Sequence, residues 1–183
     1  MPDYVAVGSN TDFIRIPVTP MFASKLASAT GTKLITAKLS DDIWAASDVK
    51  SSEPHPLTQD REKFATNWCA SSVHENQLRP ILERRLLAPD DSSWIISGIK
   101  KDVVDSKLLQ RDKSDEKNKV AIYGWHHRNG RPIQPLYVGH AATYVDYSHG
   151  LRLMSDSVLV DGKELTIDQA WDLPRLRSYL SDE

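Results

Sequence analysis

The chain has 183 residues, 40% apolar and 26% charged with only 8 glycines and 10 prolines, a composition that excludes collagen-like, low-complexity and disordered classes. Residues 1–183 are expected to form one domain. Lysine plus arginine (23) against aspartate plus glutamate (25) leaves a formal charge of −2, which provides no field toward nucleic acid or an anionic membrane. The expected partner is a small-molecule or polymer substrate. No run reaches the ~18 apolar residues of a membrane span, and Met1-Pro2-Asp3-Tyr4 lacks the layout of a signal peptide. A single cysteine, Cys69, excludes an intrachain disulfide and a cysteine-rich zinc site.

In chain order, Thr19-Pro20 is a helix-start signal, and Phe22, Leu26 and Ala29 share a face up to Gly31. Ser40-Asp41-Asp42 predicts the start of a second helix through Ile43, Trp44 and Ala45, with both carboxylates in the dipole-favoured first turn. From Thr58 to about Leu87, Phe64, Trp68, Val73, Leu78, Ile81 and Leu82 recur at helical spacing, interrupted by Pro80, which predicts two helices or one bent helix. Trp94-Ile95-Ile96 is strand-like, Gly98 punctuates it, and Lys100 to Val104 follows before a charged loop through Asn118.

The second half is predicted to be β. A strand from Val120 to His126 leads to Asn129-Gly130, a type I′ hairpin signal, then to an extended stretch from Ile133 to Tyr144. A further hairpin surrounds Asp161-Gly162, and Thr166-Ile167-Asp168-Gln169 is a capping box opening a last helix before Pro174. The fold class expected is α+β, with N-terminal helices packed on a C-terminal antiparallel sheet.

Four of the six histidines, His126, His127, His140 and His149, fall between positions 126 and 149. Imidazole exchanges protons near neutral pH and ligates metals, so several on adjoining strands can converge on one site. If residues 139–149 stay extended, His140, Tyr144, Asp146 and Ser148 share one face and His149 lies on the other, unless a turn at Gly150 returns it. His140, amid small and polar neighbours, is the strongest candidate for proton transfer, with Asp146 to orient it. His126 is either a site residue or a hydrogen-bonded structural histidine, and His127 a solvated turn residue. Ser148 lacks a Gly-x-Ser-x-Gly setting and reads more naturally as a structural hydroxyl than as a nucleophile.

Lys100-Lys101-Asp102 is a charge triplet at an element edge, ordinarily solvated; in a hydrolytic site Lys101 would stabilise developing negative charge or Asp102 would orient a histidine. Cys69 permits a Cys-His reading with His140, although a lone cysteine in an apolar helical pattern is more often a small core residue. His140, Asp146 and His149, spaced H-x5-D-x2-H, would suit a hydrolytic zinc, a pattern unlike the helical H-E-x-x-H. Cofactor and metal content stay open.

The segments Gly98 to Val104, Ile122 to His126, Pro132 to Leu136 and Tyr144 to Gly150 together resemble a family of uncharacterised bacterial proteins, many of them secreted. The resemblance covers most of the chain and places Lys100, Lys101, Asp102, His126, His140, Asp146, Ser148 and His149 inside recurring motifs, with Cys69 outside them. It implies no particular reaction. The function expected is a small hydrolase acting on an ester or amide bond, with His140, Asp146, His126, Ser148, His149, Lys101 and Asp102 as its candidate site. The competing expectation is a carbohydrate or cell-surface polymer binding module, with Trp125, Tyr123, Tyr137, Tyr144 and Tyr147 as a stacking platform.

Overall fold

The computed structural model describes residues 3–9, 12–50, 56–57, 68–86, 95–106, 119 and 121–183, with residues 68–70 and 81–86 described in their backbone alone. Thr58, Phe64, Trp94, Val120, the loop ending at Asn118 and the side chain of Cys69 lie outside the described residues.

The chain opens with strand β1 (Ala6–Gly8) antiparallel to β2 (Phe13–Arg15). Helix α1 (Pro20–Thr30) has the boundaries its sequence signals dictate: Thr19 Oγ1 accepts the Phe22 amide, and Gly31 closes the helix at φ +62°. Strand β3 (Thr32–Leu34) leads into helix α2 (Ala37–Ala46), which starts earlier than expected. Its cap is Thr36, whose Oγ1 accepts the Leu39 amide, so Ser40 and Asp41 sit in mid-helix instead of at the start. Ala37, Lys38 and Leu39 are strong helix formers, and they extend the helix back to the first available hydroxyl cap.

After strand β4 (Val49–Lys50), helix α3 (Trp68–Leu86) carries Pro80 within it. Its inward face is mostly polar: Ser71, His74 and Glu75 are buried beside Leu78, which lies where expected, whereas Val73, also expected on that face, is 49% exposed. The inward spacing is helical, but its chemistry is mostly hydrogen-bonding, so apolar periodicity could find only part of it.

Strands β5 (Ile96–Ser97), β6 (Lys101–Val104), β7 (Ala121–His126), β8 (Pro132–Tyr137) and β9 (His149–Gly150) follow. The central sheet has the order β8-β7-β6-β9, antiparallel except where β9 joins β6 in parallel. The β7–β8 connection is not the expected type I′ turn. Gly130 alone has positive φ (+85°) there, its amide bonds to the His127 carbonyl, and the His127 amide bonds to Arg131, a three-residue loop closed by a left-handed glycine. The type I′ geometry occurs instead at Asp161 (φ +50°) and Gly162 (φ +80°), between β11 (Ser157–Val160) and β12 (Lys163–Thr166). Strand β10 (Leu153–Ser155) pairs with β3.

The capping box at Thr166 opens helix α4 (Ile167–Asp172), as its sequence demands. Pro174 then begins helix α5 (Pro174–Leu180), because proline is as well suited to a first helical turn as to a stop. The protein is α+β, but helices and strands interleave, with a hairpin before the first helix and two helices at the end.

Alternation along β6 and β7 gives the central sheet two covered faces. Val103 and Ile122 pack with Val18, Ala23 and Ala27 against α1, whereas Val104 and Ala121 pack with Ile35, Leu39 and Ile43 against α2. A register shift between Ile122 and Gly124 breaks the alternation in β7. Gly124 adopts φ +100° and Trp125 φ +58°, so Tyr123 and His126 both reach the α2 side while Trp125 meets His74 of α3.

A Cβ on Gly124 would lie 3.1 Å from Ser40 Oγ and 3.2 Å from His126 Cε1. Gly124→Ala is accordingly expected to lose about 1–3 kcal/mol of stability. Gly162→Ala has nothing within 4 Å of the added atom and should lose only the left-handed strain of about 1 kcal/mol. Urea-unfolding midpoints of the two variants check this, and equal losses would show that the close packing around Gly124 carries no energetic weight.

Candidate functional site

The segments around positions 98–104 and 144–150 meet edge to edge. Lys101 pairs with His149 and Asp102 with Gly150, the Lys101 amide donates to Ser148 O at 2.8 Å, and Lys100 Nζ donates to Tyr147 O at 2.9 Å. Only glycine fits at position 150, where a Cβ would stand 2.5 Å from the Tyr4 ring and 3.0 Å from Lys100 Cβ.

The joined segment forms a tight turn. Asp146 Oδ1 accepts the Ser148 amide at 2.8 Å and its hydroxyl at 2.5 Å, and the His149 amide donates to Asp146 O at 3.1 Å. Strand β8 stops at Tyr137, so residues 138–148 carry only an isolated bridge from Ala141 to Lys119 amid bends, turns and irregular backbone, instead of the extended run expected. His140 is therefore a loop residue, and strand alternation does not govern which neighbours it meets. The turn at 146–149 brings His149 back toward Asp146, the alternative that Gly150 left open.

Asp146 Oδ2 faces two donors, Tyr144 OH at 3.4 Å and Lys101 Nζ at 3.5 Å, with the His149 Nε2 atom 3.9 Å away, beyond hydrogen-bond distance. His140 stacks on the Tyr144 ring with centroids 4.1 Å apart and planes inclined by 20°, and Tyr137 meets its other side at 5.0 Å. The imidazole beside Asp146 is thus His149, while His140 is coupled to the carboxylate through Tyr144. His140, Tyr144 and Lys101 are half-buried; Asp146, Ser148 and His149 form the buried wall behind them. The Ser148 hydroxyl is spent on Asp146.

Burial pushes the Asp146 carboxyl up, but the positive charge that His149 and Lys101 can carry, with both Ser148 hydrogen bonds, outweighs it and holds the group below its ordinary range. Burial lowers His149 to about 4, with repulsion from Lys101, His140 and Lys100 adding to it and Asp146 opposing. His149 is therefore a neutral imidazole at pH 7. Neither of its ring nitrogens has a hydrogen-bond partner.

Asp102 and His126 are not part of this group. Lys101 and Asp102 are successive residues of one strand and point to opposite faces. On the α2 face Asp102 Oδ2 accepts the Ser40 hydroxyl at 2.5 Å, with Arg152 Nε 3.8 Å from Oδ1. His126 Nε2 meets Asp41 Oδ1 at 2.7 Å, and Tyr123 OH donates to the same carboxylate at 2.9 Å. His126 is 1% exposed and the Asp41 side chain 44% exposed, so the His126–Asp41 pair is a half-buried brace between α2 and β7. Asp41, not Asp102, orients His126. Ser40 and Asp41 went unnoticed in sequence because they mimic a helix cap, and Arg152 because an isolated arginine carries no pattern.

Among the described residues no group of three histidine, cysteine, aspartate or glutamate side chains gathers in a way that could hold a metal ion. The H-x5-D-x2-H residues instead have the Tyr144 ring packed against both imidazoles. Of the proposed stacking rings, Trp125 and Tyr147 are buried edge to face against each other, Tyr123 is bonded to Asp41, and Tyr137 is 45% exposed. A groove of about 600 Å³ opens between α1, β3 and Trp171, lined by Lys33, Asp105, Asp156 and Asp168 but by no imidazole. Among the described residues no helix is long and apolar enough to cross a membrane. No family model matches the chain, and no curated protein or solved structure matches it.

The state of His149 sets an acid limb for stability. Its ordinary value of 6.5 falls to about 4 on folding, so the unfolded chain binds the extra proton between those values. The stability is whole above pH 6.5 and declines as pH falls toward 4, by roughly 3 kcal/mol, then levels. Asp146, lowered on folding, adds a further loss as pH drops below its ordinary value of 3.8. Urea midpoints measured from pH 7 to pH 4 should fall for the wild type and stay flatter for His149→Gln; parallel curves would contradict a neutral buried His149.

Proposed function

We propose that the protein is a small hydrolase acting on an ester or amide bond at the face formed by Lys101, His140, Tyr144, Asp146 and His149. The observation that carries this reading is the convergence of an ammonium, a phenol and an imidazole on Asp146 Oδ2, beside a half-buried second imidazole. Lys101 Nζ and Tyr144 OH sit 3.5 and 3.4 Å from the carboxylate, longer than the usual spacing for such donors, so turning toward a substrate oxygen sacrifices little.

In this reading His140 removes a proton from a water attacking the carbonyl carbon. Lys101 and Tyr144 donate to the oxyanion that forms, and His140 returns the proton to the departing alcohol or amine. Asp146 keeps the two donors in place, and Ser148 fixes Asp146. Asp102 and His126 support the same strands from the opposite face. The resemblance to secreted bacterial proteins belongs with this proposal. A carbohydrate-binding platform has weaker support, because two of its five rings are buried against each other.

Purified protein assayed against chromogenic aryl esters and amides is expected to turn over at least one of them. His140→Ala should lower kcat/KM by about 10²–10⁴-fold and Lys101→Met by about 10²–10³-fold, with Tm changed by only a few degrees. Absence of turnover on every substrate, or unchanged rates in both variants, would remove the hydrolase reading. A large drop in Tm for His140→Ala would make that imidazole structural.

A further inference from the structure

Resting on that reading, we propose that Lys100 is a positioning residue of the site: its buried side chain clamps the Tyr147 carbonyl and thereby sets where the turn at 146–149 presents Asp146 and His149. Lys100 is fully buried, its stem lies against Gly150, and its ammonium donates to Tyr147 O at 2.9 Å. The next residue grips the same turn through its backbone, Lys101 N to Ser148 O at 2.8 Å. Lys100 and the first residue of β6 thus hold two successive carbonyls, one by side chain and one by main chain. The residue before this pair of carbonyls is Asp146 and the residue after it is His149.

A buried ammonium is an expensive way to fill space, since methionine would occupy the volume without desolvating a charge. The charged groups facing Lys100 are Glu75 from α3, Arg15 from β2 and Asp146 from the turn, and the Tyr4 hydroxyl donates to its carbonyl at 3.4 Å. Burial depresses Lys100 to about 8, with Glu75 and Asp146 opposing and Arg15 reinforcing the shift. Its protonation therefore changes near pH 8, and the turn it holds should register that change.

The test uses the full chain as wild type, Lys100→Met and Lys100→Arg. Carboxyl and imidazole NMR titrations need no substrate. In the wild type the Asp146 and His149 resonances are expected to move together near pH 8, and in Lys100→Met that step should vanish while the Asp146 midpoint rises. On a hydrolysed ester, Lys100→Met should lower kcat by about 10–100-fold with KM within about twofold, and Lys100→Arg should recover part of the loss. Unchanged Asp146 and His149 titrations in Lys100→Met would overturn the assignment, as would a loss of Tm with kcat intact. Should Lys100→Met not fold, the absence of a wild-type step near pH 8 together with Lys100→Arg titrating identically overturns it. Because the titrations are independent of turnover, failure of the hydrolase reading and failure of the Lys100 clamp give different results.

Discussion

The short parallel pairing of Lys101 and Asp102 with His149 and Gly150 is the constraint on which the rest of the polar architecture depends. Strand alternation sends its two charged residues to opposite faces, Lys101 toward Asp146 and Asp102 toward Ser40 and Arg152. One strip of backbone therefore organises two polar groups separated by the thickness of a sheet. The parallel arrangement also requires the chain to travel from β7 through β8 and the loop bearing His140 before it returns. The half-exposed imidazole and its tyrosine neighbours are carried on that excursion.

Around this strip the protein buries charge instead of concentrating a single apolar core. Arg15 is held between Asp3 and Glu75, Arg152 donates to Ile96 O beside Asp102, and Lys100 reaches Tyr147 O. These side chains are fully or nearly fully buried, and the apolar clusters are correspondingly divided among them. Arg15 and Arg152 have carboxylates within 4 Å while Lys100 meets a carbonyl, and the two ion-paired positions are intolerant of single deletions: removing one partner of a buried pair typically costs about 3–5 kcal/mol. The network ties the first residues, α3 and the strand carrying Lys101 into one unit. The turn bearing Asp146 thus has a rigid backing while its other side faces the half-buried Tyr144 and His140.

Local signals in the sequence specify the structure wherever a single short-range interaction decides the outcome. Thr19 and Gly31 bound α1, Thr166 and Gln169 form their capping box, and Asp161-Gly162 makes its hairpin, because each depends on neighbours within a few residues. Local signals misled where two compete. Thr36 took the cap that Ser40 advertised, Gly130 alone adopted positive φ although Asn129-Gly130 allowed both, and Pro174 started a helix where it was read as ending one.

From its residues alone the chain determined an α+β class, most of its element positions, and a concentration of titratable groups between positions 98 and 150. Their composition and spacing are local properties, and local physics fixes them. Which of those groups share a face was decided only by tertiary structure. A bulge at Gly124 turns His126 toward Asp41, a stop at Tyr137 releases His140 from strand alternation, and a turn braced by Ser148 returns His149 to Asp146. Each of these shifts the register by a residue or ends it, and with a period of two a single-residue change moves a side chain to the opposite side of the sheet.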